Sequence, residues 1–250
     1  TPSMEVIVPW DGTHGECRQL EAAFPEAVFP RYDGRRTYAQ LRALGVALAT
    51  APVIAITEDH CIADPGWASA ILEAHRSPHA AIGGAVEKRA PDSALNWSFY
   101  LADYVRYSDP QEGPSHHLTD CNVTYKKTAI EPFLDVWREE FHENTVHDAL
   151  RRAGQSLWLS PRIAVWQKRH LEFGPAIWDR YAFGRLFGST RVQGTSPSTR
   201  LKFIISSAIL PLLLMARVAG HVVRNKRYAG PFLRAFPMLA LVNTVWAFGE

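Results

Sequence analysis

Short apolar runs alternate with stretches of helical periodicity over the first ninety residues, and this alternation predicts strands and helices in turn. Glu5-Val6-Ile7-Val8-Pro9 reads as a strand closed by Pro9, and the turn Trp10-Asp11-Gly12-Thr13-His14-Gly15 leads into a helix from about Glu16 to Phe24. Ala27-Val28-Phe29 reads as a second strand, and Arg35-Arg36-Thr37 leads into an Ala/Leu-rich helix ending near Thr50. A strand over Val53 to Thr57, a helix from about Gly66 to His75 and a strand from Ala80 to Glu87 continue the pattern. Such alternation implies an α/β fold with a mostly parallel sheet and helices on its faces.

Beyond residue 90 the pattern loosens. Asp92 to Arg106 is aromatic and helical, while Ser108 to His117 is a polar Pro/Gly/Ser loop expected to lie mobile on the surface. Asn122 to Tyr125 reads as a brief strand, and a helix begins near Thr128. A second helix, from His142, is stopped by Gly154 and carries its acidic residue near the start. Leu157 to Leu159 and Ile163 to Trp166 are expected as two short closing strands.

The Val53–Thr57 run is β-branched and ends abruptly in Glu58-Asp59-His60 before the Pro65-Gly66 break. Open α/β sheets place their ligands at the carboxyl ends of such strands. Carboxylate oxygen and neutral imidazole both bind a divalent cation of intermediate hardness, so Glu58 and His60 are candidate metal ligands with Asp59 between them. The same three residues also suit a polar strand end that caps the next helix.

Composition narrows the setting. The 250 residues are 47% hydrophobic and 21% charged, which is globular and large enough for one core or a domain with an appendage. A formal net charge of +2 gives no global signature for nucleic acid, so any basic function must be local. Cys17, Cys61 and Cys121 are odd in number and far apart, as in a reducing compartment, and no paired-cysteine zinc spacing occurs. The chain shows no charged-then-apolar leader at its start and stops inside an apolar stretch, as a fragment would.

After about Arg200 the composition shifts, giving an expected division into residues 1–195 and 196–250. Phe203 to Ala216 is 14 residues without a charge and Ala235 to Gly249 is 15, with Arg217, His221, Arg224, Lys226 and Arg227 between them. At ~1.5 Å per residue, 14 helical residues reach about 21 Å, short of the ~30 Å hydrocarbon core. Interfacial or re-entrant helices are therefore expected, with the basic stretch facing anionic headgroups. A pair of buried helices in a soluble domain is the other reading.

In this order the motifs resemble those of the family 2 inverting glycosyltransferases of GT-A fold. Asp11-Gly12-Thr13 resembles the Asp-Asp-Gly-Ser turn with Trp10 at the first Asp, and Leu41 to Ala51 resembles the Ala-Arg-Asn-x-Gly helix with Ala43 for Asn. Glu58 to Trp67 is similar to the Asp-x-Asp strand end and the Pro-Asp-Pro-x-Trp that follows. Thr119 to Lys127 resembles the Gly-x-Asn segment with Asp120 at the Gly, and His142-Glu143 stands where the family has Glu-Asp. The likeness spans about residues 5 to 170 and implies that the chain begins at the family's second strand.

The resemblance implies a GT-A, Rossmann-like catalytic domain, to which the composition adds a C-terminal membrane-associating helical region. It implies transfer of a sugar from a nucleotide-diphosphate donor, with inversion, to a lipid-linked or envelope-glycan acceptor at the cytoplasmic face of a membrane. Glu143 is then the expected base, Asp11, Arg42, Glu58, Asp59 and Asn122 the donor-binding residues, and Glu58 with His60 the ligands of Mn²⁺ or Mg²⁺. His60 in place of a carboxylate softens the site toward Mn²⁺. His142, His147 and His170 are open as auxiliaries, and Trp10, Trp97 and Trp178 as stacking surfaces. A nucleotidyltransferase would carry a Gly-rich basic loop after the first strand, which the sequence lacks; a non-catalytic scaffold retaining the fold would explain Trp10, Ala43, His60 and Asp120.

Overall fold

A computed structural model describes residues 4–12, 14–192 and 194–250. The elements in chain order are α1 (His14–Ala23), α2 (Tyr38–Leu48), β1 (Val53–Thr57), β2 (Cys61–Ala63), α3 (Trp67–Ala74), β3 (Ala81–Lys88), α4 (Ala94–Asp103), β4 (Gly113–Pro114) and β5 (Asn122–Lys126). The short helices α5 (Lys127–Ile130) and α6 (Leu134–Trp137) lead to α7 (Glu143–Arg152) and β6 (Leu157–Gln167). Four helices close the chain: α8 (Phe173–Arg191), α9 (Pro197–Ser207), α10 (Leu210–Asn225) and α11 (Ala229–Gly249).

The packing divides the chain into residues 1–85 with 110–165 and residues 86–109 with 166–250, the second unit taking in α4 and α8. In the first unit the sheet runs β1-β5-β3-β6-β2, with β4 on β6. β5 is antiparallel to both β1 and β3, and β4 is antiparallel to β6. The sheet is therefore mixed, not mostly parallel. Alternation of strands and helices misses this because β5 enters from a turn and not from a crossover helix, which frees it to run in either direction.

The expected strands at Glu5–Pro9 and Ala27–Phe29 are reduced to two isolated parallel bridges, Ile7 with Val28 and Trp10 with Arg31. Val8 N donates to Val28 O and Trp10 N to Pro30 O. Pro9 and Pro30 have no N–H to extend the ladder. The polar stretch 108–117 is not simply a surface loop: Ser108 is buried, and Gly113 and Pro114 pair with Leu159 and Trp158. The two closing strands are one, β6, with Pro161 between the residues that meet β4 and those that follow.

Local chemistry fixes the elements that matter for the site. Thr37 caps α2 reciprocally: its Oγ1 accepts from Gln40 N, and Gln40 Oε1 accepts from Thr37 N, both at 3.2 Å. Ala39, Ala43 and Val46 then face the core at helical spacing. Gly154, at φ +75°, ends the last turn after α7 in the left-handed conformation a helix stop favours. Val146 and Leu150 of α7 are fully buried and pack with Ile54, Val123, Tyr125 and Phe141 in the main core.

The second unit has its own core, built on Phe99 of α4, Ala176 of α8 and Val242 of α11. α8 and α11 approach so closely that a Cβ on Gly184 would lie 2.4 Å from Trp246 O, so only glycine fits there. Arg227 donates to both oxygens of Glu87 at 2.9 and 2.8 Å, and Tyr228 Oη donates to the same carboxylate, tying the start of α11 to the 86–109 segment.

Candidate functional site

The antiparallel register of β1 on β5 sets Thr57 opposite Asn122, so the residues just beyond each strand, Glu58 and Asp120, leave the sheet at the same end. Arg42, on α2, reaches this end and binds them both. Its Nη2 lies 2.8 Å from Glu58 Oε1 and 2.9 Å from Asp120 Oδ2, and its Nη1 lies 3.5 Å from Glu143 Oε2 at the start of α7. One arginine thus gathers carboxylates from three segments far apart in sequence. Tyr38, one turn before Arg42, lies under its guanidinium at 4.8 Å from ring centroid to Cζ.

Three carboxylates around one guanidinium leave an excess of negative charge. Burial raises the Glu143 carboxyl above the usual carboxylate range, Asp120 raises it further, and Arg42 only partly offsets them. Burial works against the Arg42 charge, but Asp120, Glu58 and Glu143 outweigh it and hold its pKa above the ordinary arginine value. Burial, then Glu143, pushes the Tyr38 phenol up to about 12, so it stays protonated.

His60 completes the end of β1. Its Nε2 lies 3.2 Å from Glu58 Oε2 and its Nδ1 3.4 Å from Asp59 Oδ1, with the Asp59 carboxylate fully exposed. A separation near 3 Å between two donor atoms is about what neighbouring ligands on one octahedral cation show, given bonds of roughly 2.1 Å. Glu58 and His60 fit such an ion as a pair. Among the described residues no group of three or more His, Cys, Asp or Glu side chains is arranged to hold a metal alone. A cation here would draw its remaining ligands from a diphosphate and water, as divalent ions in phosphate sites commonly do.

One of the expected donor-binding residues is otherwise engaged. Asn122 is fully buried; its Nδ2 donates to Ala85 O at 2.8 Å and Ile163 O at 2.9 Å, and its Oδ1 accepts from Trp67 Nε1 at 3.0 Å. With both donors and its acceptor spent inside the sheet, Asn122 stitches β3, β5, β6 and α3 rather than meeting a sugar. Gly84 admits it: a Cβ there would sit 2.3 Å from Asn122 Nδ2 and 1.9 Å from Ile163 O. Arg42 directs three hydrogen bonds to carboxylates.

Asp11 is half-buried at the end of the Trp10–Arg31 bridge, and no hydrogen bond or ion pair joins it to the Arg42 group among the described residues. His142 caps α7 beside Tyr38, ring centroids 6.4 Å apart, with its Nε2 3.0 Å from Glu140 Oε2. His147 is fully buried behind the site, its Nε2 2.9 Å from Tyr125 Oη, and burial lowers its pKa to about 3.

Asp120 and Tyr38 are site residues that motif reading passes over. Asp120 stands where the resemblance expects glycine, yet its place just before β5 marks it as leaving the sheet beside Glu58. Tyr38 is one turn from Arg42 on the same helix face.

No protein-family model matches the chain, and no curated protein sequence matches it. Among solved structures it is similar to the mannosyltransferase PcManGT from Pyrobaculum calidifontis, in complex with GDP-Man and Mn²⁺, at 14% identity and a TM-score of 0.57 over 98% of this chain and 76% of that one. It also matches GalNAc-T7 with UDP, GalNAc and Mn²⁺ at 12% identity and a TM-score of 0.48 over 67% of this chain, which spans only 38% of that one. At such identity a likeness speaks for the fold. The fold is the GT-A type expected from the motifs, a sheet flanked by helices, with mixed strand directions.

Proposed function

We propose that the chain is a nucleotide-sugar-dependent glycosyltransferase whose donor and acceptor meet at the Arg42 group. The observation that carries the reading is the convergence of Glu58, Asp120 and Glu143 on the single guanidinium of Arg42 at the carboxyl end of β1. This is where an α/β sheet binds its ligands, and the surplus negative charge there favours a cation. The mannosyltransferase that shares the fold was solved with GDP-Man and Mn²⁺, the ligand class this charge pattern suits.

In this reading Glu58 and His60, with Asp59 beside them, hold Mn²⁺ or Mg²⁺ together with the donor. When bound, the cation neutralises charge that builds on the leaving diphosphate. Glu143 takes the proton of the acceptor hydroxyl while that oxygen displaces the nucleoside diphosphate from the anomeric carbon. A single displacement inverts that carbon, and the proton ends on a Glu143 carboxylate oxygen. Arg42 and Asp120 position Glu58 and Glu143 for this without reacting themselves, and the raised affinity of Glu143 for protons suits a base.

The acceptor in this reading is lipid-linked or an envelope glycan, reached at the cytoplasmic face of a membrane. Exposed Ile204, Ile205, Leu212, Leu213, Leu233 and Phe248 support the membrane setting, as does the helix pair 197–207 and 210–225, apolar enough for a span but bent by 59°. α11 is also long and apolar enough to cross a membrane.

The test is donor turnover by the full chain across common nucleoside-diphosphate sugars with Mn²⁺ present. Turnover of at least one donor, reduced by roughly 10²-fold or more in Glu143→Gln, is expected from loss of a general base. No turnover of any donor, or full activity in Glu143→Gln, would overturn the reading.

A further inference from the structure

The basic stretch between the two apolar segments does not act as one group. Arg227 is spent on Glu87. Arg217, His221 and Arg224 instead lie at i, i+4 and i+7 along α10, on one helical face. That helix is divided along its length. Leu210 to Ala216 carries no charge, with Leu212 71% and Leu213 60% exposed, and all its cations lie beyond.

Within the same unit α10 packs on α4 and on the 3₁₀ turn Val105–Tyr107, and Asn225 Nδ2 donates to Ser108 O at 3.1 Å. This brings exposed Arg106 up to the stripe, where it stacks on Tyr107 at 4.4 Å. The charge of Arg180 on α8 also acts on Arg217, although more weakly than that of Arg106. Arg180 is buried, its Nη1 lies 2.7 Å from Asp103 Oδ1, and its Nε is buried with no partner. Asp103, the carboxylate that offsets this group, is thus committed to Arg180.

Partial desolvation, then Arg106, holds Arg217 below the ordinary arginine value, and desolvation, then Arg224 and Arg217, lowers His221. Like charges pressed together without counter-ions cost stability, and an anion between them relieves the cost. Exposed Arg106, Arg217 and Arg224 can each give bidentate hydrogen bonds to phosphate oxygens.

We propose that this face of α10 binds the phosphate head of a lipid, with Arg106, Arg217 and Arg224 on the phosphate and Leu213, one turn before Arg217 on the same face, along the chain. The apolar half of the same helix selects a lipid over free phosphate, because it offers a tail surface that a soluble anion leaves exposed. The inference rests on the membrane part of the function proposed above and deepens it; the Arg42 chemistry does not enter.

Sedimentation of the full chain with vesicles tests it, using phosphatidylcholine alone, phosphatidylcholine with phosphatidic acid, and phosphatidylcholine with phosphatidylserine at equal charge. Phosphatidic acid is expected to bind best. Replacing Arg217→Gln and Arg224→Gln together should weaken that binding on the order of thirtyfold, at about 1 kcal/mol for each cation near a lipid surface. The variant should keep its affinity for phosphatidylcholine vesicles and melt no lower than the parent, which shows that it is folded.

Equal binding to all three vesicles leaves the membrane reading standing and overturns the phosphate site. Equal preference for both anionic lipids, surviving in the variant, overturns it as diffuse attraction. Displacement by inorganic phosphate alone would assign the site to a free anion and overturn the lipid. Binding to no vesicle would fail the membrane reading itself.

Discussion

Glu143 is held in an environment that costs stability and suits catalysis. Burial keeps its folded pKa above its unfolded one, so the folded chain holds more protons across that interval and stability falls as pH rises through it. Glu143→Gln removes a buried negative charge beside Asp120, so at neutral pH it should raise the melting temperature while cutting turnover by roughly 10²-fold or more. The acid limb of kcat/KM should lie above the ordinary carboxylate range and vanish with that residue. A variant that is inactive and also less stable would contradict this. The buried histidines act in the opposite sense. Burial first, then neighbouring cations, lowers His147 to about 3 and His75 to about 4 from the usual 6.5. The unfolded chain therefore binds more protons below pH 6.5, and the unfolding free energy should fall as pH drops from there toward 4. Denaturant titrations across that range read the slope, and His147→Gln, which keeps an acceptor for Tyr125 Oη, should flatten it.

At the scale of elements, β5 decides the arrangement. It lies between β1 and β3, and Asn122 at its start ties in β6 and α3. Asn122→Ala would strand two buried carbonyls and an indole N–H, each worth about 1–3 kcal/mol, so a loss of several kcal/mol is expected in chemical denaturation. Donor affinity measured while the variant is still folded should change little. A variant of unchanged stability with lost donor affinity would restore Asn122 as a binding residue. Sequence periodicity marks β1, β3, α2, α3 and α7 within a few residues of their observed limits, because each is punctuated by Pro, Gly or a cap. It does not reveal the direction of β5, which long-range pairing sets, nor the joining of 157–167 into one strand through Pro161. Arg42, Glu58 and Glu143 are legible in the sequence because each stands in a motif whose order can be read, and the structure brings them together. The fate of Asn122 was not, because a binding asparagine and a buried one read alike until Gly84 and Ile163 stand beside them.

Over the whole molecule, acidic and basic clusters lie in different parts of the chain. The first unit contributes the carboxylates gathered by Arg42, and the second carries the basic face of α10 with the exposed apolar residues of α8 to α11. A formal net charge of +2 conceals this local imbalance of both signs. Function as a transferase therefore requires that the Arg42 site take a nucleoside diphosphate with a cation. Calorimetric titration of the full chain with GDP and with UDP, in the presence and absence of Mn²⁺, tests that most directly. Binding that needs Mn²⁺ and is lost in both Glu58→Ala and His60→Ala is the result predicted; binding of neither nucleotide, or binding indifferent to Mn²⁺ and to both substitutions, would contradict it.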